Sequence, residues 1–575
     1  MTSSLRHTLD FLLYQWLEAE TLQQRSRFSD HSRETFDAVL DTSERIAREK
    51  YAPFNRLVDL EEPRTETEPD GTLRVVLPQA TYEARRAYAE SGLLSAAQDY
   101  DIGGMQLPYT VEAAANSFFA AASISIGSNL LTSGNANLLM VHGTDLQKQV
   151  FALNEFNGRW SGTMCLSEPQ AGSSLSDVAT RAVPDGEGFE ADPLGPRYRL
   201  KGNKMWISSG DHELTENIVH LVLAKIPGPD GKLIPGVKGI SLFIVPKKLV
   251  DTEGHLTGER NDVALAGLNH KLGWRGTTNT LLNFGEGKYP VDGQAGAGLD
   301  GAGSGAVGYL VGQPGKGLHC MFHMMNEARI GIGMAATMLG LAGYYASLDY
   351  AKNRPQGRPV QGPKDGAAAV VKDAAQPQVR IVEHADVKRM LLAQKSYGEG
   401  ALALNLFCAR LVDEQHTGDA AAADEARLLL EVLTPIAKSW PSEWCLEANS
   451  LAIQIHGGYG YTRDFPVEQY WRDNRLNMIH EGTHGIQAMD LLGRKVLMEG
   501  GRGLQLLAGR INATIERAIQ VPALAAHANA LGKALQDVGA ATKAAWATGQ
   551  PADALANAVP YMQAFGHTVL AWVWL

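Results

Sequence analysis

The chain has 575 residues, too many for one hydrophobic core, so about two to four packed units are expected. With 45% hydrophobic and 20% charged residues it carries enough apolar material to fold and enough charge to stay soluble, which excludes a disordered chain. A formal net charge of -11 argues against nucleic acid as the main partner, and any anionic ligand must be met by local Arg and Lys.

Residues 1–160 read as a helical domain. The start, MTSSLRHTLDFLLYQWLEAE, lacks the charged, apolar and cleavage regions of a signal peptide, and its acids argue against a transit peptide. From about Thr35 to Leu153 apolar residues recur at helical spacing. Residues 161–290 read as an antiparallel β-domain, because Ile218 to Ile226, Ile240 to Val245 and Asn279 to Phe284 are short β-rich runs bounded by turn residues. Residues 291–317 read as a Gly-rich loop or linker, since Asp292 to Gly308 is poor in large apolar groups.

Residues 318–500 return to helical spacing and predict a helical bundle. Ile330 to Leu348 is uncharged and nearly long enough to span a membrane, but its Gly and Ala content predicts a closely packed core helix. On a second helix Met390, Leu391, Tyr397, Ala401, Leu404, Cys408 and Leu411 form one core-facing stripe. Pro355 to Val379 and His416 to Asp424 read as extended connections. Residues 501–575 predict an additional helical extension, whose end, Ala571 to Leu575, must pack within the protein or face a membrane. The expected fold class is therefore α+β, mostly α.

The four cysteines, Cys165, Cys320, Cys408 and Cys445, show no CxxC spacing, which suggests neither a zinc site nor a disulfide framework and fits a reduced cytosolic setting. His456, His480 and His484 cluster in sequence, but without a compact HxxxH pair or flanking carboxylates no metal is expected. Cys165 reads as a packing residue.

Four strings stand at the joints between these regions. MCLSEPQAGS (Met164 to Ser173) offers glycine, hydroxyls and free N–H groups for close approach to a ligand. KGNKMWISSG (Lys201 to Gly210) places Trp206 two residues before Ser208, so strand alternation predicts both on one face. QIHGGYGY (Gln454 to Tyr461) is followed by Arg463, Asp464, Pro466 and Glu468, and IHEGTHGIQ (Ile479 to Gln487) completes the set.

In this order and spacing the four strings resemble the acyl-CoA dehydrogenase family over roughly Thr35 to Leu497. MFHMMNEARIGIG (Met321 to Gly333), VEHADVKRMLL (Val382 to Leu392) and the extension resemble its large bacterial subgroup, which includes methylmercaptopropionyl-CoA dehydrogenases. The resemblance implies FAD between β-domain and helical bundle, in a site completed by a second subunit of a homodimer or larger homo-oligomer. Met164, Leu166 and Ser167 would line the isoalloxazine, Gly172 and Ser173 would approach the pyrophosphate, and Trp206 would cover the ring with Ser208 near N5. From the partner subunit, Arg354 would meet the pyrophosphate, while Gln454, Gly457 and Gly458 would hold the adenosine end. Thr483 and Gln487 would also lie at the flavin. Asn326 and Arg329 would meet the CoA substrate, the latter through its fixed fork of donors.

The sequence departs from the family pattern at Ser174, where an acid is usual and Asp177 comes three residues later, at Gln469, where Lys or Arg is usual, and at Gly485, where many relatives have Gln. The resemblance further implies β-oxidation-type fatty acid metabolism in the bacterial cytoplasm, with electrons passing to an electron-transferring flavoprotein. Alternatives are an oxidase that uses oxygen, and a non-catalytic nucleic-acid-binding relative. Peripheral membrane contact would go through Trp572 to Leu575.

Glu481 is the expected base. Removing a thioester α-proton requires a base near Cα, a β-hydride acceptor on the opposite face and donors to the enolate oxygen. Thr483 is the expected N-cap of the following helix, which puts Glu481 at a helix entrance. That position favours carboxylate by only ~0.3 to 1 kcal/mol, whereas burial raises a carboxyl pKa by ~3 to 5 units, so desolvation wins once substrate binds. In the family the backbone N–H of the base and a flavin ribityl hydroxyl polarise the thioester carbonyl. The rival position used by some family members corresponds to Ala328, whose neighbour Glu327 is turned about 100° away on an ideal helix.

Overall fold

The computed structural model describes residues 2–126, 130–293, 304–322, 325–359 and 374–575, with backbone alone at 2, 3, 293, 325 and 326. Its backbone gathers into two compact units, neither of them continuous in sequence. One comprises residues 1–25, 109–121 and 329–575, the other 26–108 and 122–328.

The second unit is built on a mixed sheet. After a hairpin of β1 (Arg64–Thr67) and β2 (Leu73–Val76), the strands are β3 (Trp160–Cys165), β4 (Arg181–Pro184), β5 (Arg197–Ser208), β6 (Asn217–Lys225), β7 (Ile240–Pro246), β8 (Lys248–Val250), β9 (Leu256–Arg260), β10 (Val263–Leu268), β11 (Asn279–Phe284) and β12 (Ala306–Val311). The main sheet runs β10-β11-β5-β12-β7-β6-β3, with β4 pairing to both β5 and β6. The pairing is antiparallel apart from β3 against β6 and the single β4–β6 contact. β6 and β7 are buried at every residue, which is why they read as continuous apolar runs rather than alternating ones.

β12 corrects the linker expectation for 291–317. Residues 294–303 lie outside the described set, but Ala306–Val311 is a wholly buried strand between β5 and β7. Glycine at 305 and 308 leaves room for side chains of β5: a Cβ at Gly308 would come 2.5 Å from Leu200 Cδ1, and one at Gly305 2.9 Å from Arg199 Cβ. Averaging composition across 292–308 hid the apolar run AVGYLV that starts inside it.

Glu155 is fully buried in this unit, and neither carboxylate oxygen has a hydrogen-bond partner. Burial holds its pKa well above the ordinary value. A group of this kind stabilises the fold below the unfolded pKa and loses that contribution as pH rises through the folded one. Glu155→Met is expected to raise stability by about 1–2 kcal/mol at neutral pH and to flatten the decline above pH 4.5, as read by denaturant melts across pH.

In the other unit the long helices are Met325–Asn353, Ala385–Thr417 and Ala420–His456. The predicted core helix is confirmed: the one described stretch apolar and long enough to cross a membrane, Glu327–Asn353, has 83% of its window buried in the protein. Its glycines allow contact with the 420–456 helix, since a Cβ at Gly333 would lie 1.9 Å from the Ala437 carbonyl and one at Gly340 would lie 2.7 Å from Cys445 Cβ. The Met390 to Leu411 stripe is core as expected, with Ala401, Leu404 and Cys408 fully buried.

The connection expected at His416 to Asp424 is a two-residue corner instead. Asp419 accepts from the N–H groups of Ala421 (3.0 Å) and Ala422 (2.9 Å), so an N-cap restarts the helix at once. Of the other predicted connection, Pro355 to Val379, residues 360–373 are outside the described set. The extension forms helices Arg502–Ala518, Ala525–Ala545 and Ala558–Trp574, and Leu507, Ile511, Leu531 and Phe565 join the same core as Leu429 to Trp440. Its terminal indoles are tied into this unit: Trp572 Nε1 donates to Thr514 Oγ1 (2.9 Å) and Trp574 Nε1 to the Ser396 carbonyl (3.1 Å).

Candidate active site

In the sheet unit, the first two strings are joined by one buried ion pair. Lys204, on β5, donates to Glu168 Oε1 (2.9 Å) and to the Leu166 carbonyl (3.0 Å), and its side chain is fully buried. Glu168 also accepts from Thr180 Oγ1 (2.5 Å), Thr180 N (3.0 Å), Ala179 N (2.8 Å) and Gln170 Nε2 (2.7 Å). Burial works to raise the Glu168 pKa, but the Lys204 charge and these donors outweigh it and hold the carboxyl below its ordinary value. Glu168 thus organises the loop and presents none of itself to a ligand. Met164, Leu166 and Ser167 are half-buried around it, and Gly172 and Ser173 are exposed, with open space where a Gly172 Cβ would stand.

Met205 N donates to the Ser167 carbonyl (3.0 Å), which fixes the first string against the second. Simple strand alternation fails just beyond. Trp206 adopts φ +65°, and the β5–β11 register slips between Thr280 and Leu282. This is a β-bulge with a left-handed residue, which re-aims a side chain at the end of a strand. The indole is left 58% exposed, an unusual state for tryptophan and one suited to covering a planar ligand. Ser208 Oγ accepts from Asn279 Nδ2 (3.4 Å). Ser174 donates to Asp177 (2.6 Å), so the acid three residues on bonds back to position 174.

Cys165 lies in the sheet core with its thiol pushed up to about 12 by burial, so it is a packing residue. Glu327 accepts from Asn137 Nδ2 (3.5 Å), and Ala328 is buried. Asn326 lies among the residues whose side chains are not described.

In the helical unit, Glu481 adopts φ +52° and Gly482 φ +87°, a turn that feeds the helix His484–Gly493. Thr483 caps that helix as expected, its hydroxyl accepting from Ile486 N (3.4 Å). Left-handed backbone at a non-glycine costs on the order of 1–3 kcal/mol and persists only where its surroundings enforce it.

Lys438 supplies much of that enforcement. It lies between Pro435 and Pro441 in the 420–456 helix, and its ammonium donates to the carbonyls of Gly482 (2.7 Å) and Asn477 (2.8 Å). Asn477 continues through Asn474 (2.9 Å) to Asn449 (2.7 Å), which donates to the Leu339 carbonyl (2.9 Å). A buried polar chain therefore anchors the turn to two long helices. Glu481 is recessed yet partly accessible. Burial raises its pKa, and the Lys438 charge opposes this. Burial likewise brings Lys438 down to about 7, against the pull of Glu481.

Two residues expected at ligands also brace the site from within. Gln487 is fully buried and donates to the Glu481 carbonyl (3.0 Å), so it braces the turn that carries the base. Arg329 is buried and paired to Asp490 (3.0 Å), which ties two helices and engages the fork expected to face CoA. The three histidines are each engaged separately: His456 stacks on Tyr350 (4.3 Å), His480 bonds Asn477 Oδ1 (3.1 Å) and His484 pairs with Glu443 (3.1 Å). Among the described residues no group of three His, Cys, Asp or Glu is placed to hold a metal. Gln469 is buried, and a side chain at Gly485 would meet open space.

Arg354, Gly457 and Gly458 line one cavity of about 430 Å³, together with Tyr350, His456 and Tyr459. The Arg354 guanidinium stands 5.6 Å from the Tyr459 ring centre, and a Cβ at either glycine would touch nothing within 4 Å. Gln454 is exposed on the last turn of the helix leading into this cavity.

Neither Lys438, Asn474, Asn477, Glu168 nor Lys204 was singled out from sequence. The available signal was a lysine inside the apolar stretch IAKSW and two asparagines inside a turn-bearing motif.

Sequence comparison places this fold and its site in a family of oxidoreductases: the chain belongs to the acyl-CoA dehydrogenases. It is 37% identical over 569 residues to 3-methylmercaptopropionyl-CoA dehydrogenase of Ruegeria pomeroyi, covering 97% of this chain and 87% of that protein. Residues 359–497 match the family model for the acyl-CoA dehydrogenase C-terminal domain, and residues 507–575 match the acetyl-CoA dehydrogenase C-terminal-like model. Among solved structures the fold resembles Caenorhabditis elegans ACDH-11 in complex with C11-CoA, with TM-score 0.73, 20% identity, and coverage of 99% of this chain and 86% of that one. It also resembles a Bacillus anthracis acyl-CoA dehydrogenase complexed with FAD, with TM-score 0.68, 20% identity, and coverage of 96% and 82%.

Proposed function

We propose that the protein converts an acyl-CoA thioester to the trans-2-enoyl-CoA, with FAD as cofactor and Glu481 as the base. The observation that carries this is the Glu481 turn, a carboxylate fixed in left-handed backbone at a helix entrance with its pKa raised by burial. The residues fit FAD on chemical grounds. An exposed indole on a bulge suits a flat ring, open glycine backbone at Gly172, Gly457 and Gly458 suits pyrophosphate and adenosine, and Arg354 supplies a cation. When bound, FAD supplies the two-electron acceptor for the β-hydride.

The protein's own part is to place and poise the base. Glu481 removes the α-proton in its ionised form, and its raised pKa makes it a stronger base than a solvated carboxylate. Its backbone N–H is the protein's donor to the thioester carbonyl, where negative charge develops. The Arg354 cavity is proposed to serve a second copy of the chain in a homodimer or larger oligomer, and an electron-transferring flavoprotein is proposed as the acceptor of the electrons. The test is anaerobic mixing of the purified flavoprotein with short, medium, long, branched and methylthio acyl-CoAs. Bleaching of bound flavin by at least one of them is expected, and a protein purified without flavin, or inert to all of them, would falsify the proposal.

Lys438 sets the pH at which this base works. Glu481 is protonated and idle below its raised pKa, so flavin reduction rises with pH through that value. Lys438→Met removes the opposing positive charge and should move this acidic limb up by about one pH unit. Lys438→Arg should leave the limb near its original place. A limb unmoved in Lys438→Met would show that the lysine's charge does not act on Glu481.

A further inference from the structure

A second set of groups lies apart from the residues discussed so far, inside the sheet unit. A cavity of about 40 Å³ is lined by Arg85, Thr81, Thr132, Ser161, Ser209 and His212 among others, and among the described residues no acid lines it. Arg85, on the helix Gln79–Glu90, is 9% exposed, and its Nη2 is buried without a hydrogen-bond partner. The groups that act on its charge favourably are the phenols Tyr51 and Tyr88, and no carboxylate is among them. Thr81 Oγ1 is also buried without a partner.

His212 is fixed as a further donor. Its Nδ1 accepts from Leu214 N (3.2 Å), which leaves the ring proton on Nε2. Burial keeps this ring neutral, with the nearby positive charges of Lys247 and Arg85 acting in the same direction. Lys247 itself is satisfied by Asp211 (2.6 Å). The cavity therefore holds one uncompensated positive charge, an N–H donor and several hydroxyls.

Isolating a guanidinium from water without a counter-charge is strongly unfavourable. We infer that this cavity binds a small monovalent anion, of chloride to simple carboxylate size, with Arg85 as its counter-ion. The volume admits one such ion and excludes a nucleotide or acyl chain. The position gives the anion a structural consequence. Ser209, at φ +54°, directly follows Ser208, and it lines the cavity, so the occupied pocket buttresses the strained end of β5. This inference does not depend on the proposed reaction.

The test uses the purified full-length protein with whatever cofactor it retains. Thermal unfolding in sodium chloride is compared with sodium gluconate, whose anion is too large for the pocket, at equal ionic strength. A melting temperature higher by about 2 °C in chloride is expected, and Arg85→Met should abolish the difference. Equal melting temperatures in the two salts, or the same difference in Arg85→Met, would overturn the inference. Should Arg85→Met fail to fold, crystals of the unsubstituted protein soaked in sodium bromide decide. An anomalous peak within hydrogen-bond reach of Arg85 and His212 supports the site, and its absence refutes it.

Discussion

Replacing Glu481 with glutamine is expected to slow flavin reduction by acyl-CoA by about 10³-fold or more, while leaving flavin content and melting temperature near those of the original protein. The amide matches the carboxylate in shape and still fits a left-handed turn that Lys438, Gln487 and Thr483 hold from outside the side chain. What it loses is the ability to take a proton. The substitution also removes the negative charge beside Lys438, so the lysine is expected to titrate lower than its present value of about 7. Reduction at the unsubstituted rate would dismiss Glu481 as base. Glu327, which is joined to Asn137, would then be the next carboxylate to test.

The sequence made the reacting groups legible because they announce themselves locally. Thr483 is followed by a helical pattern, so its capping role could be read from a few residues, and the structure shows the bond. Trp206 and Ser208 lie two apart on one predicted strand, and what the string does not show is the bulge at Met205 and Trp206, just before Ile207. A bulge is created by the partner strand: Leu282 lies opposite Lys204 while Thr280 lies opposite Ile207, and nothing in KGNKMWISSG reports that mismatch. The same reason hides the supporting groups. Lys438 meets Gly482 across 44 positions and Lys204 meets Glu168 across 36, distances at which periodicity carries no information. β12 was missed for a different reason, since its apolar run was averaged into a glycine-rich neighbour. The bond from Gln487 to the Glu481 carbonyl is equally illegible, because the spacing of the two residues fits both a side chain facing outward and one curling back on the turn.

Lys204→Met should produce the largest loss of stability, about 3–5 kcal/mol. The methionine fills the space of the lysine stem but leaves the Glu168 carboxylate buried with hydroxyl and amide donors and no counter-charge. Its pKa would then rise from below the ordinary value to above it, because burial would no longer be outweighed. The sign for the unsubstituted protein is the opposite: a lowered carboxylate pKa stabilises the fold above its unfolded value and is lost as pH falls through the folded one. Acid should therefore loosen the Leu166 to Gly172 loop in the unsubstituted protein, whereas Lys204→Met should begin to recover some stability as pH falls and Glu168 takes up a proton. Because Lys204 also holds the Leu166 carbonyl, the same substitution should release flavin, seen as free flavin fluorescence on gel filtration. Glu168→Gln combined with Lys204→Met leaves no buried charge and should regain much of the stability but little of the flavin, since the amide cannot restore the tie to Leu166. A single variant as stable as its parent, or a double variant no better than the single, would mean that the ion pair does not hold the two strings together.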